Sequence, residues 1–480
     1  MAGLGAQLRR LGKHSAIYGL GGIVQRVLAV LLLPVYTRYL TPSDYGVVET
    51  LVALTTVAAI TLRLGISNAF FRFYFDSPEP SYRRRVLRTS FWFTMGMATL
   101  GLVLGVAFSG EIATLLFGSS EDAEVVAAAF VGLWAHMNYE QLTALFRVEE
   151  RSVAFVTASL ANIGVTIAAT LILVVGLEAG PLGVIVGNFT GTLLVYAVLI
   201  GYRREQLGLQ FDRRLFREMN RFGMPLLPSA LFLWVTNFSD RFFLVKLSGT
   251  EEVGLYSVGV RIASALVLLL TAFRMAWPAF AFSIEDDGEA KRTYAYVLTY
   301  VTYIASWVAT ALALLSPWIV GWIAAPAFEE SSTVVGPLAF SVVAYAGYVV
   351  VVIGVARVRR TQFNWVVTGA AAAVNVALNL LLIPRYGMMG AAVATIASYV
   401  TMLAGMTWWA QRLYPVPYQW RRVLTAAGAG IALAVTGKLA GGGLPVALLL
   451  ALAYPAVLLP LGFYLPAERK AVAARVRALR

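Results

Sequence analysis

Long apolar stretches follow one another along almost the whole chain, and they limit its fold more than any other feature. A helix that crosses a bilayer needs about 20 mostly apolar residues, and fourteen stretches of roughly that length are present. They cover residues 15–36, 45–64, 88–109, 123–145, 153–177, 181–201, 222–245, 254–283, 295–323, 333–355, 362–383, 388–410, 422–440 and 444–465. The sequence therefore predicts an all-α polytopic membrane protein with about fourteen transmembrane helices.

The composition supports this interpretation. Of the 480 residues, 59% are hydrophobic and 13% are charged, whereas soluble domains are about 45–50% apolar and about 25% charged. The basic segment 1–14 precedes a stretch too long for the apolar core of a signal peptide. We therefore expect residues 15–36 to be a retained first helix.

The basic residues are divided unevenly between alternate loops. With the N-terminus placed inside, 29 Lys and Arg fall in cytoplasmic segments and 4 on the outer side. Short cytoplasmic loops of membrane proteins are enriched in these residues. We predict a multi-pass protein of the cell (inner or cytoplasmic) membrane with both termini cytoplasmic. This topology explains most of the net charge of +13 without a nucleic-acid partner.

Two weak internal matches indicate a repeat. At an offset of 208 residues, 37–46 aligns with 245–254, and at an offset of 207, 180–183 aligns with 387–390. These matches pair helices 1 to 6 with helices 7 to 12 and predict two six-helix lobes related by a pseudo-two-fold axis along the membrane normal. The predicted segments are a cytoplasmic N-terminus (1–14), an N-lobe (15–201), a cytoplasmic linker (202–221), a C-lobe (222–410), two further helices (411–465) and a basic cytoplasmic tail (466–480).

Five arginines fall within or at the ends of predicted spans. They are Arg26, Arg63, Arg241, Arg261 and Arg274. A cation at the centre of a spanning helix costs about 2.5–3.5 kcal/mol on insertion scales, so we expect these side chains to face a water-filled cavity and bind the substrate. The alternatives stay open: Arg26 paired with a buried carboxylate, Arg63 snorkelling to the interface, and Arg241 in a local ion pair. Arg261 and Arg274 are 13 residues apart and cannot share one face of a straight helix.

Four other titratable residues are candidates for ion coupling or charge balance: Glu49, His136, Glu140 and Asp240. His136 and Glu140 are four residues apart on one helix face, which fits either a proton relay or a simple polar contact. Three aromatic residues are candidate sugar contacts, although aromatics at span ends also anchor helices at the interface. They are Trp134, Tyr139 and Trp234.

Several classes of site are excluded or disfavoured. The chain has no Cys and two His, which argues against iron–sulfur, disulfide and His-rich metal sites. It has no P-loop motif, and its predicted outer loops are too short for a membrane glycosyltransferase, polymerase or ligase. We therefore expect a transporter rather than an enzyme, with no cofactor and with coupling to the membrane potential, H⁺ or Na⁺.

Four short motifs then resemble a known group of transporters. They are Tyr39-Leu-Thr-Pro-Ser-Asp-Tyr-Gly46, Leu64-Gly-Ile-Ser-Asn-Ala-Phe-Phe-Arg-Phe73, Ser239-Asp-Arg-Phe242 with Glu252-Val-Gly-Leu-Tyr256, and Asn379-Leu-Leu-Leu-Ile-Pro384 with Gly387-Met-Met-Gly-Ala-Ala392. The chain resembles the multidrug/oligosaccharidyl-lipid/polysaccharide (MOP) flippase superfamily, and within it the polysaccharide-export branch that includes O-antigen flippases. Thr41-Pro42 stands where relatives often have Gly-Pro.

The resemblance implies two lobes that open a cavity alternately to each side of the membrane. It implies a polyprenyl-diphosphate-linked oligosaccharide as substrate, moved from the cytoplasmic to the outer leaflet, with membrane lipids and polysaccharide polymerase or chain-length proteins as partners. The multidrug members of the superfamily show a pattern with a carboxylate in the first helix, whereas the first predicted helix of this chain carries Arg26. Arginine forks can hold a diphosphate. A multidrug or small-molecule cation antiporter, a lipid II flippase and a nontransporting enzyme of glycan assembly remain the alternatives.

Overall fold

The computed structural model describes residues 32–441, 443–466 and 468. Within these ranges all regular secondary structure is helical. The α-helices are α1 (Leu33–Tyr39), α2 (Pro42–Arg63), α3 (Ile66–Phe73), α4 (Pro80–Ala107), α5 (Ser109–Phe117), α6 (Ala123–Val148), α7 (Ser152–Leu171), α8 (Gly180–Arg203), α9 (Arg213–Gly223), α10 (Leu227–Leu247), α11 (Thr250–Ser283), α12 (Asp287–Ile323), α13 (Ser332–Arg357), α14 (Asn364–Leu413), α15 (Trp420–Ala440) and α16 (Gly443–Val457).

These helices confirm the predicted all-α membrane architecture. Nine helices of the described ranges are long and apolar enough to cross a membrane. A helical segment stands at each of the thirteen predicted spans from residue 45 onwards. Most of the first predicted span, 15–36, lies outside the described residues.

One long helix accounts for two of the predicted spans. α14 has 50 residues, and its backbone breaks at Gly387, where φ is 50° and ψ is −133°. This conformation is essentially restricted to glycine. Pro384, three residues earlier, also weakens the helical hydrogen bonding there. The break separates the predicted spans 362–383 and 388–410.

The chain divides into two compact units, one ending at Leu255 and one beginning at Tyr256. In the first unit α6 packs against α4 and α8, and α8 packs against α7. α10 also belongs to this unit, because it packs against α2. In the second unit α13 packs between α12 and α14 around a core that includes Tyr294, Val350 and Met402. α15 and α16 pack against α12.

The Thr-Pro-Ser-Asp motif starts α2. Thr41 is the N-cap: its hydroxyl accepts a hydrogen bond from the Asp44 backbone N–H at 3.2 Å, and the Asp44 carboxylate accepts one from the Thr41 N–H at 3.0 Å. This reciprocal arrangement satisfies two N–H groups at the start of the helix. Pro42 occupies the first turn, where its missing N–H costs nothing.

The glycine that follows this motif lies against the start of α11. A Cβ on Gly46 would lie 1.9 Å from the carbonyl oxygen of Thr250, and a Cβ on Gly254 would lie 1.9 Å from the carbonyl oxygen of Pro42. The hydroxyls of Ser43 and Thr250 are 2.7 Å apart. Gly46 and Gly254 are the two glycines that the 208-residue offset aligns. The aligned segments therefore contact each other, and the contact is possible only without side chains at these two positions.

Candidate functional site

One buried charge cluster joins α2 to α10. Nη1 of Arg241 is 3.1 Å from Oδ1 of Asp240, and its Nη2 is 3.7 Å from Oε2 of Glu49. Arg241 is 4% exposed, Asp240 3% and Glu49 6%. Charges buried to this degree must be paired. In this conformation the Arg241 guanidinium therefore connects two helices and is not open to a ligand.

A second cluster joins the end of α2 to the middle of α6. Nη2 of Arg63 is 2.5 Å from Oε2 of Glu140, and Nε2 of His136 is 3.7 Å from the other carboxylate oxygen, Oε1. The Glu140 side chain is 43% exposed and the His136 side chain 44%. Glu140 thus lies between a permanent cation and an imidazole. Unlike the side chains of the Arg241 cluster, the His136 and Glu140 side chains are partly exposed at the protein surface.

The second unit holds the other two described arginines of this set, both on α11. Arg261 is half-buried, and Arg274 is exposed. The Arg274 guanidinium carbon lies 5.6 Å from the centroid of the Tyr345 ring. No carboxylate among the described residues forms an ion pair with Arg274. Arg26 lies outside the described residues.

The three candidate sugar contacts are engaged with the protein. Tyr139 is 6% exposed and belongs to the core of the first unit. The indole N–H of Trp134 donates to the hydroxyl of Thr99 at 3.1 Å, and that of Trp234 donates to the carbonyl of Ala53 at 3.1 Å. Trp134 and Trp234 are half-buried, so part of each ring remains accessible.

Sequence reasoning missed a group of tyrosines around Arg274. Tyr345 stacks on Tyr348 with ring centroids 6.0 Å apart, and it also contacts Tyr399, with centroids 5.1 Å apart. Tyr345 and Tyr348 are three residues apart on α13, whereas Tyr399 comes from α14. The only signal in the sequence was the i, i+3 spacing of the first two, because the third reaches them through the fold alone.

A chain with many apolar helices, and with arginines inside its apolar segments, has features that are common in membrane transporters. The comparisons with known proteins make this specific. Residues 35–333 match the family described as "Polysaccharide biosynthesis protein", and the chain belongs to that family. Its membership of the MOP flippase superfamily, predicted from the four motifs, is thereby confirmed.

Solved structures share the fold at low sequence identity. The lipid II flippase MurJ in an inward closed conformation aligns with a TM-score of 0.72 and 11% identity, over 92% of this chain and 98% of that one. An inward-facing multidrug resistance MATE family transporter of the MOP superfamily aligns with a TM-score of 0.69 and 14% identity, over 81% of this chain and 94% of that one. A membrane protein of Haemophilus influenzae, described as uncharacterized, is 23% identical over 290 residues, which is 58% of this chain and 67% of that protein.

Proposed function

We propose that this protein is a flippase that moves a polyprenyl-diphosphate-linked oligosaccharide from the cytoplasmic to the outer leaflet of the cell membrane by alternating access. The proposal rests chiefly on the match of residues 35–333 to a polysaccharide biosynthesis family. A fold like that of a lipid II flippase supports a lipid-linked cargo. An O-antigen precursor is the substrate class that the export branch of the superfamily favours.

The arginines of the spans supply the chemistry for an anionic headgroup. Arg274 is exposed and has no carboxylate partner among the described residues, so its charge is available to a diphosphate. Arg63 shares Glu140 with His136. We assign to Arg63 a second contact with the diphosphate, which it can exchange for its contact with Glu140. We assign Arg26 and Arg261 to the same set from their positions in the first span and in α11. Arg241, held by Asp240 and Glu49, supports the fold of the first unit.

The membrane potential gives this transport a direction. With the cell interior negative, moving one negative charge outward gains about 2.3 kcal/mol per 100 mV. Protonation of His136 or Glu140 would change the charge next to Arg63, and this provides a route for additional coupling to H⁺. The glycan travels in water while most of the polyprenyl chain stays in lipid. Polymerase and chain-length proteins would receive the product on the outer side.

The test is a proteoliposome assay that follows a fluorescent polyprenyl-diphosphate oligosaccharide from leaflet to leaflet, with and without an imposed potential. Wild type should show potential-dependent movement, and Arg274→Gln should slow it at least tenfold. Arg214→Gln is the matched control, because Arg214 is 92% exposed on the short basic helix α9. Efflux of cationic dyes without lipid movement would favour the multidrug antiporter instead. Equal movement of lipid II would favour the peptidoglycan alternative.

A further inference from the structure

An apolar groove of about 260 Å³ lies between α11, α12 and α13 of the second unit. Its lining includes Leu269, Ala272 and Phe273 of α11, Ile304 of α12 and Ala346 of α13. Leu269 is 50% exposed and Ile304 45%, so the groove is open to the surroundings of the protein. Its volume is below the usual range for a whole small-molecule ligand, about 300–1,000 Å³. It therefore fits a short stretch of a longer apolar chain.

The residues that line the groove include sequence neighbours of the exposed arginine of α11 and of its aromatic partner. Phe273 lines the groove and Arg274 follows it directly, while Ala346 lines the groove and Tyr345, whose ring contacts Arg274, precedes it directly. Tyr348 and Tyr399 extend the aromatic group around this position. An apolar groove, with a guanidinium on the residue that follows its lining on α11 and tyrosine rings around that guanidinium, matches a lipid whose chain starts at a phosphate.

A cation inside an apolar segment is costly unless it finds an anion or water. Arg63 and Arg241, two other arginines of these spans, find theirs in carboxylates of the protein. Arg274 contacts an aromatic ring instead. An anion that pairs with Arg274 would therefore come from outside the described residues, and an apolar groove next to Arg274 favours one that carries a hydrocarbon chain.

We propose that the groove and Arg274 form one binding site for an isoprenoid diphosphate, with the first isoprene units in the groove and the phosphates on the guanidinium. This inference rests on the proposed function and adds to it the place where the lipid end of the cargo binds. The site lies wholly within the second unit. A fatty-acyl phospholipid, which offers the same general chemistry, is the competing occupant that the experiment must exclude.

The experiment uses the full-length protein in detergent with a photoreactive farnesyl diphosphate as probe. Crosslinks in the wild type should map to peptides of α11, α12 and α13. Ala272→Phe, which fills the groove at an exposed position, should weaken binding at least tenfold. Ala279→Phe is the control, because it makes the same change at an exposed position of α11 that does not line the groove. It should bind within twofold of wild type.

Two further comparisons separate the parts of the site. Arg274→Gln should weaken farnesyl diphosphate at least tenfold and leave farnesol within twofold, because only the diphosphate uses the guanidinium. Leu269→Trp narrows the groove by a second route if Ala272→Phe does not fold. Crosslinks elsewhere, equal binding by Ala272→Phe and Ala279→Phe, or full competition by phosphatidylglycerol would each overturn the proposed site.

The same variants in the proteoliposome assay distinguish this inference from the proposed function. If wild type moves the lipid-linked oligosaccharide, and Ala272→Phe binds and moves it equally well, the proposed lipid site is wrong and the proposed flippase function is supported. If the probe binds as expected but wild type moves no lipid-linked oligosaccharide, the lipid site is supported and the proposed flippase function is wrong.

Discussion

Replacing Gly46 by alanine tests the close contact between α2 and the start of α11. The new Cβ would lie 1.9 Å from the carbonyl oxygen of Thr250 and 2.8 Å from its carbonyl carbon. Real Cβ contacts are not shorter than 3.0 Å, so the two backbones must separate by about 1 Å or more. Both neighbouring atoms belong to the backbone, and no side-chain rotation can relieve the clash.

The expected cost follows from these distances. Overpacking of a close contact costs about 1–3 kcal/mol. The separation would also break the hydrogen bond between the hydroxyls of Ser43 and Thr250, which are 2.7 Å apart, at a cost of about 1 kcal/mol. Gly46→Ala should therefore lower the free energy of unfolding by about 2–4 kcal/mol.

Gly96→Ala is the matched control. Gly96 lies inside α4, and no atom approaches the position of its Cβ within 4 Å. Alanine in a helix interior is favoured over glycine by about 0.5–1 kcal/mol, so this variant should be as stable as wild type or slightly more stable. Equilibrium unfolding in mixed micelles, followed by tryptophan fluorescence, measures both. Gly254→Ala should cost as much as Gly46→Ala, and the double variant should cost less than the sum, because one separation relieves both clashes. If Gly46→Ala proves as stable as Gly96→Ala, the contact is not as close as described.

Three further predictions concern charged groups of the first unit. Arg241→Met leaves Asp240 and Glu49 buried without the cation that joins them and should lower the free energy of unfolding by about 3–5 kcal/mol; a loss under 1 kcal/mol in the same micelle titration would contradict the description of this cluster. Arg203 is 3% exposed and binds Glu149 through two hydrogen bonds of 3.1 and 2.7 Å, so Arg203→Gln should cost about 2 kcal/mol, seen as a lower melting temperature. Burial, with the carboxylates of Asp44 and Glu121 nearby, raises the pKa of Asp122 above its usual value; its charge therefore destabilises the fold at neutral pH, and that penalty disappears as the pH falls through the raised pKa. Asp122→Asn should thus be more stable than wild type at pH 7, and the difference should shrink towards pH 4; a difference that is constant with pH would refute this assignment.

The positions of the spans could be predicted because lipid imposes a simple requirement on each segment by itself. Some helices extend beyond the predicted apolar stretches: α4 begins at Pro80 rather than at 88, because its first turns carry Arg83, Arg84 and Arg85, and hydropathy reports only the apolar part of a helix. The repeat aligns Gly46 with Gly254, but an alignment does not predict that two segments touch, and their close contact is known only from the structure.

The partners that charged residues find on other helices could not be predicted in the same way. Arg241 binds Glu49 across 192 positions of the chain, and Arg63 binds Glu140 rather than a neighbour in its own helix. These ion pairs depend on which helices pack together. The packing of helices cannot be inferred from a single sequence whose spans are all similarly apolar. The tyrosines around Arg274 went unnoticed for the same reason.

The break at Gly387 also decides how many times the chain crosses the bilayer. A continuous helix of 50 residues would be about 75 Å long, more than twice the roughly 30 Å of the hydrocarbon core. It would cross once and leave the rest of its length in water. The break at Gly387 instead lets this length of chain cross twice. Without the break, every later segment, including the one that carries Arg421 and Arg422, would lie on the opposite side of the membrane.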